Sequence, residues 1–106
     1  RDSLNALVDW HVDFALTYPA LIVVQDRDWS ALPDQAREQV RSLQLAYIEE
    51  WVKALQQQRP QMSAEEAQAR LHATFGLINS TPRSARIDPT AMRGLLTQMA
   101  LAALLA

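Results

Sequence analysis

The chain has no cysteine, and this absence excludes disulfides, thiol chemistry and metal sites built on thiolates. Glycine occurs only twice, which leaves no glycine-rich loop to cradle a phosphate. Lysine and arginine number ten, but they are scattered and the net charge is −2, so the chain offers no basic stripe to nucleic acid. The longest apolar run, Met99 to Ala106, is far shorter than the ~20 residues of a membrane span. We therefore expect a cytoplasmic protein that enters no membrane.

Residues for catalysis are also scarce. Two histidines without cysteine make a weak set of metal ligands. Asp9 and Asp13 share one helix face, but no histidine or third acid joins them there. We therefore expect no enzyme, no metal and no cofactor.

Helix signals dominate what is present. Apolar residues at steps of three and four predict a first helix over residues 2–17. A long helix is predicted from near Pro33 to about Gln58. Ser63, followed three residues later by a glutamate, has the form of a capping box and starts a helix that runs to about Asn79. Asp88, followed by proline, supplies the N-cap of a last helix over about 89–105.

The run from Ala20 to Val24 is ambiguous, because its pattern alone fits either a strand or a helix. The chain offers no second strand candidate, and a single strand has no partner to pair with. We therefore predict a short buried helix over 19–28. The fold class is all-α, with five helices in one domain over residues 1–106.

The last two helices each have two faces that can pack. In the last helix, Leu95 and Leu96 lie on one apolar face, while Leu101 and Leu105 lie opposite with Leu104 beside them. One face can pack on its own domain, and the other needs a second molecule or a missing part of this one. The preceding helix carries a face of small residues, which lets another helix come close. Either that face packs inside the monomer, or, as we predict, both helices join their copies in a four-helix bundle across a homodimer. The predicted interface, with the faces that meet the partner left open, comprises Ala69, His72, Ala73, Gly76, Leu95, Leu101, Leu104 and Leu105.

The order of these features resembles a known family over nearly the whole chain. The stretch LVDWHVDFALTYPALIVVQDRDWSALPDQAREQVRSLQLAYIEEWVKAL is similar to the middle of the TetR-family regulatory domain. A helix ends before the break at Tyr18-Pro19, and Leu32-Pro33 opens a long helix. The segment Gly76-Leu77-Ile78-Asn79 is similar to one in that family's penultimate helix.

The resemblance implies a transcriptional regulator, usually a repressor, which dimerises through its last two helices and binds a small effector among the central ones. Effector binding then alters how the DNA-binding domain fits its operator. The first residues already have the character of a helix and no methionine precedes them. We therefore expect a piece of a longer protein, whose helix-turn-helix domain precedes Arg1 and alone contacts DNA.

Aromatic side chains on the central helices are candidates for the effector pocket, because such pockets combine apolar walls with a few polar groups. The alternative is that these rings only fill a core, and that the chain is a helical protein-interaction module without a small ligand. His11 lies on the apolar face of the first helix and is expected to be a hydrogen-bonded core residue. The predicted pocket residues are Trp10, Phe14, Tyr47, Trp51, Phe75 and Asn79.

Overall fold

All the regular secondary structure in the described part of the chain is helical. The structure, a computed structural model, describes residues 2–18, 20, 31–80 and 86–106. It has four α-helices in these ranges: α1 (Asp2–Thr17), α2 (Asp34–Gln58), α3 (Ala64–Asn79) and α4 (Pro89–Leu105). The predicted all-α class is confirmed, and so are the four helices predicted outside residues 19–28, with bounds that agree within about a residue. The short helix predicted over 19–28 lies outside the described residues, except for Ala20.

Two of the helices begin at the capping residues that the sequence predicts. The Ser63 hydroxyl accepts a hydrogen bond from the Glu66 backbone N–H at 3.1 Å. Asp88 accepts from the next two free N–H groups of α4, and proline holds the first helical position, where no N–H is needed. Only the serine half of the predicted capping box is formed. The Glu66 carboxylate pairs with Arg70 at 3.1 Å, one turn further along α3.

The core lies where the four helices meet. α1 packs against α4, α3 and α2, while α3 packs against both α2 and α4. Each helix contributes residues at steps of three and four, the spacing that places side chains on one face. The fully or nearly fully buried apolar residues are Leu4, Val8, Val12, Ala15, Trp51, Ala54, Leu55, Ala67, Leu71, Ile78, Leu96, Ala100 and Leu104.

Helix α2 enters this core only with its C-terminal half. Trp51, Ala54 and Leu55 are buried. Leu43, one helical turn before Tyr47, is 72% exposed. The N-terminal half of α2 therefore extends past the helices it packs against in the described part of the chain.

Arginines hold α4 in place at both ends. Near its start, Arg93 pairs with Asp13 of α1. At its other end, Arg59 and Arg70 donate to the carbonyls of Leu105 and Leu104, each at 3.1 Å. Cations at this end of a helix oppose the negative pole of its dipole and satisfy carbonyls that lack a partner within the helix. These contacts accompany the burial of Leu96, Ala100 and Leu104, the face of α4 that packs against the core.

The inward face of α4 corrects part of the predicted interface. Leu96, Ala100 and Leu104 lie four residues apart and are buried against the chain's own helices. Leu104 has no exposed surface, so it cannot contribute area to a contact with a second molecule. Because the last helix is apolar nearly all round, its periodicity alone could not tell which face packs inward.

Among the described residues, no helix combines the length and the apolar character needed to cross a bilayer.

Candidate ligand cavity and partner face

A cavity of about 410 Å³ lies between α1, α2 and α3. Its volume falls within the range of about 300–1,000 Å³ typical of small-molecule sites. Each helix contributes residues of a single face, one or two turns long. The lining residues are Trp10, His11 and Phe14 from α1, Gln44, Tyr47 and Ile48 from α2, and His72, Phe75 and Asn79 from α3.

His11 links the three walls of this cavity by hydrogen bonds. Its Nδ1 lies 2.9 Å from the Tyr47 hydroxyl oxygen on α2, and its Nε2 lies 3.2 Å from Asn79 Oδ1 on α3. An amide oxygen only accepts, so Nε2 carries the proton and donates to Asn79. In the neutral ring Nδ1 is then the acceptor, and the Tyr47 hydroxyl donates to it. The three side chains therefore form one directed chain from Tyr47 through His11 to Asn79.

Burial keeps this chain uncharged. Desolvation lowers the pKa of His11, and the hydrogen bond to Asn79 opposes that shift. Burial likewise raises the pKa of the Tyr47 hydroxyl, and the nearby Trp51 indole N–H acts in the opposite direction. At neutral pH His11 is thus a neutral imidazole and Tyr47 a neutral phenol. Within the described residues, no Asp, Glu, Lys or Arg side chain lines the cavity.

The rings around His11 are ordered into two sets. His11, Tyr47 and Phe75 are nearly parallel, with angles of 15–20° between their planes. The shortest centroid separation among them is the 4.8 Å between His11 and Phe75. Trp10 and Phe14 form a second stacked pair on α1, with Trp10 inclined by 62° to Tyr47. The cavity is therefore lined by two sets of stacked rings that are inclined to each other.

Trp51 supports these rings from behind. It stands edge-on to His11, Tyr47 and Phe75, with centroids 5.2–6.0 Å away. It is fully buried and does not line the cavity, although it belongs to the predicted pocket residues. Its buried indole Nε1 makes no well-formed hydrogen bond within the described residues. Trp51 is thus a packing residue that holds the cavity wall in position.

The other five predicted pocket residues, Trp10, Phe14, Tyr47, Phe75 and Asn79, all line the cavity. Four further residues line it that the sequence did not assign to the pocket, namely His11, Gln44, Ile48 and His72. Helical spacing contains a signal for them, because each lies one, three or four residues from a predicted pocket residue and so extends the same wall. His11 is the hydrogen-bonded, buried residue expected from the sequence and also contacts the cavity.

The small-residue face of α3 lies outside the core. Ala69, Ala73 and Gly76 are exposed, as is His72 beside them. A methyl group built on Gly76 would meet no atom within 4 Å. The alternative in which this face packs inside the monomer is therefore wrong for the described part of the chain.

The exposed side of α4 is also apolar. Leu95 is 42% and Met99 43% exposed, and Ala91 and Ala102 continue the same stripe along the helix. Leu101 and Leu105 are half-buried against the core. The stripe that α4 leaves uncovered is thus centred on Leu95 and Met99 rather than on Leu104.

Comparison with known families identifies the family of this chain. A family model described as "Tetracyclin repressor-like, C-terminal domain" matches residues 1–83 of the 106. The chain belongs to this family. The match spans α1, α2 and α3, and so includes every helix that lines the cavity of this tetracyclin repressor-like domain. A search of curated proteins gave no significant match.

Proposed function

We propose that this chain is the regulatory domain of a cytoplasmic transcriptional repressor, which binds a small, mainly hydrophobic effector and dimerises. A helix-turn-helix domain elsewhere in the same protein contacts the operator. The observation that carries the proposal is the cavity between α1, α2 and α3, which lies within the part of the chain that matches the family.

The composition of the cavity supports an effector that is small and mainly apolar. Its walls are largely aromatic, and its polar groups are few and held in place by hydrogen bonds. Rigid apolar walls with a few fixed polar points are the usual features of a small-molecule site.

The uncovered faces of α3 and α4 support dimerisation. The two helices pack against each other, and each leaves a stripe of small or apolar residues exposed. Two such helices that meet their copies form a four-helix bundle. In a symmetric dimer each stripe meets the same surface of the partner, so one patch serves both sides.

The position of His72 suggests how the cavity is coupled to the proposed dimer interface. His72 lines the cavity together with Phe75, and it also borders the exposed stripe of Ala69, Ala73 and Gly76. A rotation or shift of α3 on effector binding would therefore move both the cavity wall and the surface that faces the partner. A coupling of this kind typically amounts to about 1–3 kcal/mol.

The test is the mass of the chain in solution. Ala73→Glu places a charge in the middle of the α3 stripe, and Ala46→Glu makes the same change at an exposed position of α2. By sedimentation equilibrium we expect twice the 11.9 kDa of one chain for the wild type and for Ala46→Glu, and a single-chain mass for Ala73→Glu.

Two results would contradict dimerisation through this face. One is a dimer that survives Ala73→Glu unchanged. The other is a wild-type monomer at high concentration, which would favour the alternative of a helical module that pairs with a different protein.

A further inference from the structure

The cavity lining limits the charge that a ligand can carry. None of the nine lining residues in the part of the chain that the structure describes is an Asp, Glu, Lys or Arg, and burial keeps His11 neutral at ordinary pH. A charged group moved from water into such a site loses its hydration without gaining a counter-ion, which is costly even after local relaxation. The aromatic faces can attract a cation by about 0.5–2 kcal/mol, but this is less than the cost of several kcal/mol of taking an ion out of water without a counter-ion.

The hydrogen-bond order limits the polar group that a ligand can carry. Asn79 Oδ1 already accepts from His11, while Tyr47 donates to the other ring nitrogen. The donor of Asn79 that remains for a ligand is its amide nitrogen, for which no described residue is an acceptor, while Oδ1 keeps one lone pair. A ligand that carries a hydrogen-bond acceptor therefore fits Asn79, whereas one that offers only donors leaves the amide nitrogen unsatisfied.

The aromatic surfaces limit the shape of the ligand. One wall is formed by the stacked rings of His11, Tyr47 and Phe75, and the other by the stacked pair of Trp10 and Phe14. A planar ring system can extend one of these stacks and meet the ring edges of the other, the two arrangements that aromatic pairs prefer.

From these three limits we infer that the ligand of the cavity is an uncharged, planar aromatic compound with a carbonyl or ether oxygen that accepts a hydrogen bond from Asn79 Nδ2. The inference rests on the proposed function, because it names the ligand class of the same cavity.

Four probes on one naphthalene skeleton test it by isothermal titration calorimetry at pH 8. The probes are 2-acetylnaphthalene, which is neutral and has an acceptor, naphthalene itself, the anion 2-naphthoate and the cation 2-naphthyltrimethylammonium. We expect the ketone to bind tightest, on the order of fivefold tighter than naphthalene, which lacks the acceptor. We expect each ion to bind at least on the order of tenfold more weakly than the ketone.

A pair of variants locates the acceptor contact. Asn79→Leu removes the amide donor and should abolish the advantage of the ketone over naphthalene. Gln57→Leu removes the same type of group from an exposed position of α2 that does not line the cavity, and should leave both affinities unchanged. If Asn79→Leu does not fold, the ranking of the four probes on the wild type still decides the inference.

The outcomes separate this inference from the proposed function. Binding of either ion as tightly as the ketone would overturn the uncharged ligand class, and equal affinities of ketone and naphthalene would overturn the acceptor. In both cases a ligand-binding domain would remain. Failure of all four probes to bind would overturn both the ligand class and the assignment of the cavity as an effector site.

Discussion

The substitution Gly76→Ala should change the melting temperature in opposite directions for a free helix face and for a face in contact with a partner. Gly76 lies inside α3 on the exposed stripe with Ala69 and Ala73. In the single chain, a methyl group at this position would meet no atom within 4 Å. The effect of the substitution on an isolated chain is therefore set by helix propensity alone.

Propensity fixes the expected magnitude. Replacing glycine by alanine in a helix interior stabilises by about 0.5–1 kcal/mol, mainly because glycine loses more backbone freedom on folding. For a domain of this size, 1 kcal/mol changes the melting temperature by roughly 4–8 °C. If a partner helix approaches Gly76 closely, the methyl group overpacks the contact, and the cost of about 1–3 kcal/mol reverses the sign.

The assay is thermal unfolding by circular dichroism over a wide range of protein concentration, with Gly94→Ala as the matched control. Gly94 is the other glycine of the chain, and a methyl group there also meets nothing within 4 Å. We expect Gly94→Ala to raise the melting temperature at every concentration. Gly76→Ala should raise it when the chain is dilute and lower it when the chain is concentrated.

An equal rise in melting temperature from both substitutions at every concentration would refute the reasoning, since no partner would then lie against Gly76. A loss from Gly76→Ala in a dilute, monomeric sample would refute the exposure of the α3 face itself.

The remaining predictions concern the core and the cavity. His11 takes up a proton at the ordinary pKa of 6.5 when unfolded but only at lower pH when folded, so its contribution to stability is fully present above pH 6.5 and is lost as the pH falls below it. Urea unfolding from pH 8 downward should show this loss, with a slope of at most about 1.4 kcal/mol per pH unit for the one group, and His11→Phe should remove that part of the slope. Tyr47→Phe removes the donor to His11 Nδ1 and should cost about 1 kcal/mol in the same assay; no change would mean that water already satisfies the imidazole. Leu104→Ala should cost about 2–5 kcal/mol because Leu104 is fully buried, whereas Leu95→Ala, at a partly exposed site, should cost far less in the monomer; similar losses would show that α4 is rotated from the orientation described.

Much of the fold follows from local signals in the sequence. Helix starts depend on a few neighbouring residues, which is why Ser63 and Asp88 mark the first turns of α3 and α4 correctly. Periodicity also identifies the walls of the cavity, since residues such as Tyr47 and Phe75 lie on the inward face of their helices and line it as predicted.

What local signals could not give is the rotation of an element whose faces are alike. Helix α4 has leucine and alanine on nearly every side, and its packing against α1 and α3, which are distant in sequence, places Leu104 inward and Leu95 outward. The partners of His11 lie 36 and 68 residues away, so the hydrogen-bonded chain depends on tertiary packing. The depth of Trp51 behind the cavity wall is a similar case, because spacing places it on the correct helix face but does not give its depth.

The central claim is that α3 carries the cavity on one face and the contact with a second copy on the neighbouring face. Cross-linking tests it most directly, because the chain has no cysteine and each variant then carries a single thiol. A short bis-maleimide should join Ala73→Cys chains into a covalent dimer in high yield, while Ala46→Cys, exposed on α2, should remain a single chain. A dimer yield from Ala73→Cys no greater than that from Ala46→Cys would contradict the claim.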